Sequence, residues 1–147
     1  MPSPAHEILV AALRDDPTIL ASLLEVFGFE RTPTFSPVDS TVRRVDTIEV
    51  RPDLLLEAEG QPWMAVEVQH DEDDEKARRW PVLLSILLER TQRMGDLLVL
   101  TYSRAVSRWA RTAIRQSGPR GTELRVMPVV LEVTRGHLDA LLDPAHP

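Results

Sequence analysis

The chain has 147 residues, a net charge of −6 and no cysteine, which excludes disulfides and thiolate metal sites. Its length suits one domain with a real core, and its 43% hydrophobic content is ordinary for a globular protein. No apolar run approaches the roughly 18 residues of a membrane span and no signal peptide is visible, so we expect a cytoplasmic protein with no membrane partner. The acidic balance argues against nucleic-acid binding by the whole surface, but it leaves room for a local basic face.

The beginning of the chain predicts two helices followed by a loop. Residues 4–15 have the apolar spacing of a short amphipathic helix. Asp16 and Pro17 are typical of a helix start, and the second helix should run to Phe27, where a glycine follows and ends it. Residues 30–40 contain two prolines and should form a loop.

Three strands are predicted next. Val42–Val50 is strand-like, although its alternation of apolar and polar residues is imperfect. The runs Pro52–Ala58 and Trp63–Gln69 are rich in Leu, Val and Trp and flank the turn signal Glu59–Pro62. This arrangement predicts a β-hairpin.

The register of this hairpin decides which side chains meet. If the loop centres on Gly60, Asp53 lies opposite Glu67, and both share a face with Gln69 because side chains alternate along a strand. The opposite face is entirely apolar, and a one-residue slip would mix the two sets. Two carboxylates and an amide at one end of a hairpin are what a divalent-metal site for phosphodiester cleavage needs.

An acidic turn and a helix follow the hairpin. The turn covers Asp71–Glu75, and the helix should start near Lys76 or Pro81 and run to about Arg93. Its apolar residues cover much of the helix circumference, so we expect it to be largely buried. Gly95 should end it.

The last third of the chain predicts two more strands, each followed by a helix. Leu97–Tyr102 reads as a central strand buried on both faces, and a helix should follow over Arg104–Gln116. Leu124–Val133 reads as a strand that Pro128 breaks or holds at an edge, and His137–Leu142 as a short final helix.

Two motifs carry a family resemblance. Pro52-Asp53 followed by Glu67-Val68-Gln69 resembles the PD-(D/E)XK nuclease superfamily, with glutamine in the usual lysine position. Further matching elements make roughly residues 3 to 112 similar to a group of actinobacterial proteins, which are related to the transposase-like, recombination-promoting nucleases of bacteria. These elements are His6–Val10, Asp73, Lys76 and Trp80-Pro81.

The resemblance implies an α/β fold with an αβββαβ restriction-endonuclease-like core, in which helices flank a mixed central sheet. We expect a single domain over residues 1–147, with N-terminal helices over 1–28 and the sheet-containing core over 42–133. The β–α–β step through residues 80–102 should be a right-handed crossover.

The resemblance also implies a metal centre. Asp53 and Glu67 would bind Mg²⁺ or Mn²⁺, and the backbone carbonyl of Val68 could be a further ligand. Glu67 lies in an otherwise apolar strand, where an unpaired buried charge would cost several kcal/mol. A metal would compensate that charge, and so would an ion pair with a basic residue such as Arg51, Arg78 or Arg79.

Three further residues are candidates for the catalytic site. Gln69 could orient a water but cannot supply positive charge. Lys76 could supply the missing cation, or it could be a solvated lysine at a helix start. Glu7 could contribute an acid from the first helix, as in some members of the superfamily, or it could be a solvated first-turn glutamate that favours the helix dipole.

An arginine stripe favours a nucleic-acid partner. Four arginines recur at i, i+4, i+7 and i+11 of the helix predicted over residues 104–116, opposite an apolar face: Arg104, Arg108, Arg111 and Arg115. Such a stripe could neutralise DNA phosphates, and the alternative is a solvated helix face.

The sequence therefore favours a metal-dependent nuclease that cleaves DNA. One alternative is a catalytically inactive nuclease fold that serves as a DNA-binding or protein-interaction module. Another is a structural or regulatory oligomer such as a homodimer, with the apolar helix Val82–Leu88 or a strand near Val129 as its interface.

Overall fold

A computed structural model describes residues 3–30, 35–39 and 50–142 of the chain. The chain divides into two compact units, Met1–Thr47 and Ile48–Pro147. The single domain expected from the sequence stays a prediction.

The first unit contains the two predicted helices, α1 (Pro4–Asp15) and α2 (Thr18–Val26). Asp16 marks the start of α2 because its Oδ1 accepts a hydrogen bond from the Thr18 backbone N–H at 3.1 Å. Gly28 follows α2 with a φ of +89°, which glycine adopts without steric cost, so the predicted helix end is confirmed. The strand predicted over Val42–Val50 lies outside the described residues, apart from Val50, which is not in a strand.

The second unit has six strands and four helices within its described residues. The strands are β1 (Leu54–Leu56), β2 (Met64–Val68), β3 (Asp96–Thr101), β4 (Ile114–Ser117), β5 (Glu123–Val126) and β6 (Val129–Glu132). The helices are α3 (Asp74–Ala77), α4 (Trp80–Thr91), α5 (Arg104–Thr112) and α6 (Arg135–Leu142).

The main sheet is mixed and has the strand order β1-β2-β3-β6. Strand β1 is antiparallel to β2, whereas β3 is parallel to both β2 and β6. The chain returns from β2 to β3 through α3 and α4, as a parallel pair requires. Strands β4 and β5 form a separate two-stranded sheet. The prediction of an α/β fold with a mixed sheet flanked by helices is confirmed at this level.

The predicted hairpin register is confirmed. Leu54 pairs with Val66 and Leu56 with Met64, so the same register places Asp53 opposite Glu67. The turn closes where the Gln61 N–H donates to the Ala58 carbonyl at 3.0 Å, and Gly60 has a φ of +73°. Both strands are shorter than predicted.

The core lies on the hairpin face that carries Glu67. Trp63 and Ala65, which share that face, pack in one cluster with Trp80, Leu83 and other apolar residues of the helices and of β3. A Cβ atom at Gly95 would overlap the carbonyl and ring of Trp63. The close contact between Trp63 and the residue before β3 therefore needs glycine at this position. The acid-bearing face is therefore the buried one.

The burial of helix α4 and of strand β3 can be compared with the prediction. In α4, three residues spaced by one and two turns are fully buried and the other apolar residues are half-buried except Leu88, which is exposed, so the helix is largely buried as predicted. Leu83 and Leu87 point into the core, which excludes the inward face of this helix as an oligomer interface. The helix ends at Thr91 because Gln92 turns left-handed, with a φ of +56°. Strand β3 is central, but only one of its two faces is fully buried.

Helix α5 is shorter than predicted. Ser103 caps its start by accepting the Val106 N–H at 3.3 Å, but the helix ends at Thr112 and residues 114–117 form β4. The reason is pairing with β5, since Ile114 lies opposite Val126, and this tertiary contact overrides the helical periodicity. Pro128 separates β5 from β6, which confirms the predicted break and places the two halves in different sheets.

The final helix α6 begins two residues earlier than predicted. Within the described ranges, no helix is both long enough and apolar enough to cross a membrane.

Candidate functional site

The end of the hairpin fixes the carboxylate of Asp53. Its Oδ2 accepts a hydrogen bond from the Val68 backbone N–H at 2.7 Å. The Gln69 N–H donates the other way, to the Leu100 carbonyl in β3 at 2.9 Å. Because successive peptide groups of a strand point to opposite edges, the amide and the carbonyl of Val68 face the β1 side. The Asp53 carboxylate and the Val68 carbonyl therefore lie along the same edge of β2.

Lys76 joins the two carboxylates. Its Nζ lies 2.8 Å from Glu67 Oε2 and 3.6 Å from Asp53 Oδ2. The Glu67 side chain is only 3% exposed, whereas those of Lys76 and Asp53 are 32% and 43% exposed. The cation thus bridges a buried acid and a more accessible one.

Helix α3 directs Lys76 to this position. Asp73 caps the helix because its Oδ1 accepts the Lys76 backbone N–H at 3.0 Å. The helix has one turn, and its Ala77 is buried, which holds the turn against the rest of the unit. The sequence left two hypotheses for Lys76, and the structure places its ammonium at the carboxylates.

Burial and charge shift the acid–base properties of this pair. Burial raises the pKa of Glu67 above its ordinary value of 4.5, the contact with Lys76 opposes this, and the Asp53 charge adds to it. Burial lowers the pKa of Lys76, but the contact with Glu67 and the charge of Asp53 outweigh it, so the pKa of Lys76 is raised. Lys76 is therefore a cation at neutral pH.

The Glu67 carboxylate depends on this ion pair. Its Oε2 is buried and lies 2.8 Å from the Lys76 ammonium. A buried carboxylate that lost this contact would be an unpaired buried charge, which is costly.

A cavity of about 280 Å³ opens beside Glu67 and Lys76. Its walls combine acidic, basic and apolar side chains: Val50, Arg51, Glu67, Asp73, Glu75, Lys76, Arg79, Trp80 and Leu83. The sequence had suggested Arg79 only as an ion-pair partner for Glu67, and Trp80 only as part of a motif. Asp73 was recognisable as a cap, since it lies three residues before Lys76.

The oxygen donors at this end of the hairpin are of the type that Mg²⁺ or Mn²⁺ binds. Asp53, Glu67 and the Val68 carbonyl offer hard oxygen atoms, and Mg²⁺ is commonly held by one or two carboxylates together with waters and substrate phosphates. No cluster of three or more His, Cys, Asp or Glu side chains is placed to hold a metal within the described residues. A metal here would therefore depend on two carboxylates, on the Val68 carbonyl and on ligands from outside the protein.

Two other residues, Gln69 and Glu7, were predicted to belong to the site. Gln69 is buried on the face of Glu67 but does not line the cavity, and its role in orienting water stays a prediction. Glu7 is exposed in the first turn of α1, in the first unit, and its role also stays a prediction.

Three of the four predicted arginines form a common face. Arg104, Arg108 and Arg111 are exposed on α5, on the side away from its buried residues Val106 and Ala110. The assignment of Arg115 to this stripe is wrong, because Arg115 lies in β4, after the end of α5. Its Nε is 3.5 Å from Glu123 Oε1.

Comparison of the chain with protein-family models, with curated proteins and with solved structures gave no match.

Removing the Lys76 ammonium should destabilise the protein in a pH-dependent manner. In Lys76→Met, Glu67 stays buried without its cation, so we expect the free energy of unfolding at pH 8 to fall by about 2–4 kcal/mol. A carboxyl whose pKa is raised on folding loses stability as pH rises from 4.5 through its folded pKa, and the substitution raises that pKa further. Urea unfolding should therefore give a smaller loss at pH 5 than at pH 8.

The double variant Glu67→Gln/Lys76→Met is the matched control for this experiment. It removes the carboxylate as well as the cation, so the extra pH dependence should disappear. An equal loss of stability at pH 5 and pH 8 for Lys76→Met alone would contradict the ion pair.

Proposed function

We propose that this protein is a metal-dependent nuclease-like protein that hydrolyses phosphodiester bonds of DNA on a PD-(D/E)XK, restriction-endonuclease-like core. One observation carries the proposal: the Lys76 Nζ lies within 3.6 Å of both carboxylates at the end of the hairpin. Two acids and a cation at one end of the hairpin are the groups that metal-assisted phosphodiester hydrolysis needs.

Each residue has a distinct role in this proposal. Asp53 and Glu67, with the Val68 carbonyl, would hold Mg²⁺ or Mn²⁺, and the metal would supply polarisation of a phosphate and activation of a water. The hydrogen bond from the Val68 N–H orients the Asp53 carboxylate. Gln69 orients the attacking water.

Lys76 supplies the positive charge that Gln69 cannot supply. Its ammonium is protonated at neutral pH, and the contacts with Glu67 and Asp53 raise its pKa further above the ordinary value of 10.5. It is also one-third exposed and lines the cavity, so it can meet a phosphate oxygen there. A fixed cation of this kind stabilises negative charge that develops on the phosphate during hydrolysis.

The basic face of α5 is the proposed contact with the DNA backbone. Its three exposed arginines can neutralise phosphates despite the acidic net charge of the chain. Trp109 of the same helix donates its Nε1–H to Asp74 Oδ1 at 2.7 Å, and Asp74 begins α3. The helix that would hold the backbone is thus bonded to the helix that carries Lys76.

A second candidate is an inactive nuclease fold that binds DNA or protein without cutting. The specific observation in its favour is that Lys76 already compensates the charge of Glu67, so the site does not need a metal for stability. The neutral Gln69 in the usual lysine position points the same way. In this reading the arginine face keeps its function and the carboxylates are structural.

Cleavage assays distinguish the two candidates. We expect Mg²⁺- or Mn²⁺-dependent cleavage of plasmid or single-stranded DNA, which EDTA abolishes. Asp53→Asn and Glu67→Gln should each reduce the rate by at least about 100-fold, because each removes a charged ligand while conserving side-chain volume.

Glu57→Gln is the matched control for these substitutions. Glu57 is an exposed acid on the same hairpin, at the turn end, and its replacement should leave the rate unchanged. Circular dichroism should confirm that all three variants are folded. If the wild-type protein is inert and calorimetry detects no metal binding, the inactive module is the correct reading.

The arginine face should determine the salt dependence of DNA binding. Replacing Arg104, Arg108 and Arg111 together with glutamine should weaken binding and reduce the slope of log K against log salt by about 0.9 for each lost phosphate contact. Fluorescence anisotropy with a labelled duplex, in EDTA, measures both quantities. Arg115→Gln should change DNA affinity and the salt slope little, because Arg115 is paired with Glu123. An unchanged slope in the triple variant would exclude the arginine face of α5 as the DNA contact.

A further inference from the structure

We infer that Arg79 and the indole N–H of Trp80 form a phosphate-binding subsite in the cavity beside Glu67 and Lys76. The inference rests on the proposed function for the source of the phosphate, a nucleic acid. The binding of the anion itself does not require cleavage.

The indole N–H of Trp80 is a buried donor without an acceptor among the described residues. Trp80 is 2% exposed and lines the cavity, and its Nε1 is buried with no acceptor among the described residues. The two other tryptophans have acceptors, because Trp63 donates to the Arg93 carbonyl at 3.0 Å and Trp109 donates to Asp74 at 2.7 Å. A buried donor without an acceptor is unfavourable and calls for a specific partner, such as a ligand oxygen.

The guanidinium of Arg79 is a weakly paired cation at the same cavity. It lines the same cavity, next to Trp80 in the chain, and its side chain is 58% exposed. Its only ion pair among the described residues is a contact with Glu75 at 4.0 Å, the limit of such an interaction. The planar guanidinium therefore keeps donors for two parallel hydrogen bonds to a phosphate.

The charges of the cavity are compatible with an anion, because three basic residues match its three acids. Three acids line it, but each has a partner: Glu67 pairs with Lys76, Glu75 with Arg79, and Asp73 accepts the Lys76 amide. A volume of about 280 Å³ lies just below the usual range of ligand cavities, which suits a phosphate group with its adjoining sugar.

Arg78 provides a matched control. It precedes Arg79 in the chain but lines a separate cavity of about 460 Å³, together with Asp74, Pro81 and Ala113. Replacing either arginine with glutamine removes one exposed positive charge from the same short segment. Only Arg79→Gln removes that charge from the cavity of Trp80.

The three indole N–H groups allow a direct test by nuclear magnetic resonance. Their proton–nitrogen signals in the ¹⁵N-labelled protein can be assigned with single tryptophan-to-phenylalanine variants. The probes are inorganic phosphate, a 5′-phosphorylated dinucleotide and its unphosphorylated counterpart, each titrated in EDTA. We expect the Trp80 signal to move downfield as its N–H gains an acceptor, while the signals of Trp63 and Trp109 stay in place.

The arginine variants then identify the subsite. Arg79→Gln should weaken the binding that shifts Trp80 by at least about tenfold, whereas Arg78→Gln should change it by less than about twofold. A response to both dinucleotides assigns the subsite to a backbone diester, and a response to the phosphorylated one alone assigns it to a terminal phosphate. Either result supports the subsite.

Two results would overturn the inference. One is a Trp80 signal that none of the three probes moves. The other is an equal loss of affinity in Arg78→Gln and Arg79→Gln, which would indicate unspecific attraction by surface charge. Because EDTA is present throughout, these outcomes are independent of cleavage: an inert protein can retain the subsite, and an active one can lack it.

Discussion

A carboxylate is stable in the apolar interior of a sheet only when a cation reaches it, and Glu67 is reached by Lys76 from α3. This ion pair constrains its surroundings. The cap at Asp73 sets the direction of the single turn that carries the lysine, and the Val68 amide sets the direction of Asp53. A buried acid, an accessible acid and a shared cation are thereby held at one end of the hairpin.

The rest of the second unit supports this arrangement through its tryptophans. Trp80 begins α4 below the cavity, and its ring lies 5.7 Å from that of Trp109 in α5. Trp109 is also bonded to Asp74 at the start of α3. The carboxylates, the cavity and the basic face of α5 therefore belong to one connected set of contacts. In the proposed function, these parts act respectively on the metal, on a phosphate near the reaction and on the DNA backbone.

The sequence was sufficient to predict features that depend only on residues close together in the chain. The alternation of side chains fixed the pairing of Asp53 with Glu67, because any slip would have mixed acids with apolar residues. It could not place Lys76, since the path of the acidic turn depends on tertiary contacts. It also misjudged Ile114, whose apolar spacing continues that of α5 but whose partner, Val126, is twelve residues further along. The error on Arg115 followed from that helix boundary.

The most direct test of the central claim is calorimetric titration of Mn²⁺ into the wild-type protein and into Asp53→Asn and Glu67→Gln. The account predicts one site in the wild-type protein and its loss in both variants, because each contributes a carboxylate oxygen to the same ion. Glu57→Gln should bind as the wild type does. Binding that is unchanged in both site variants, or a wild-type protein without any site, would contradict a metal centre at Asp53 and Glu67.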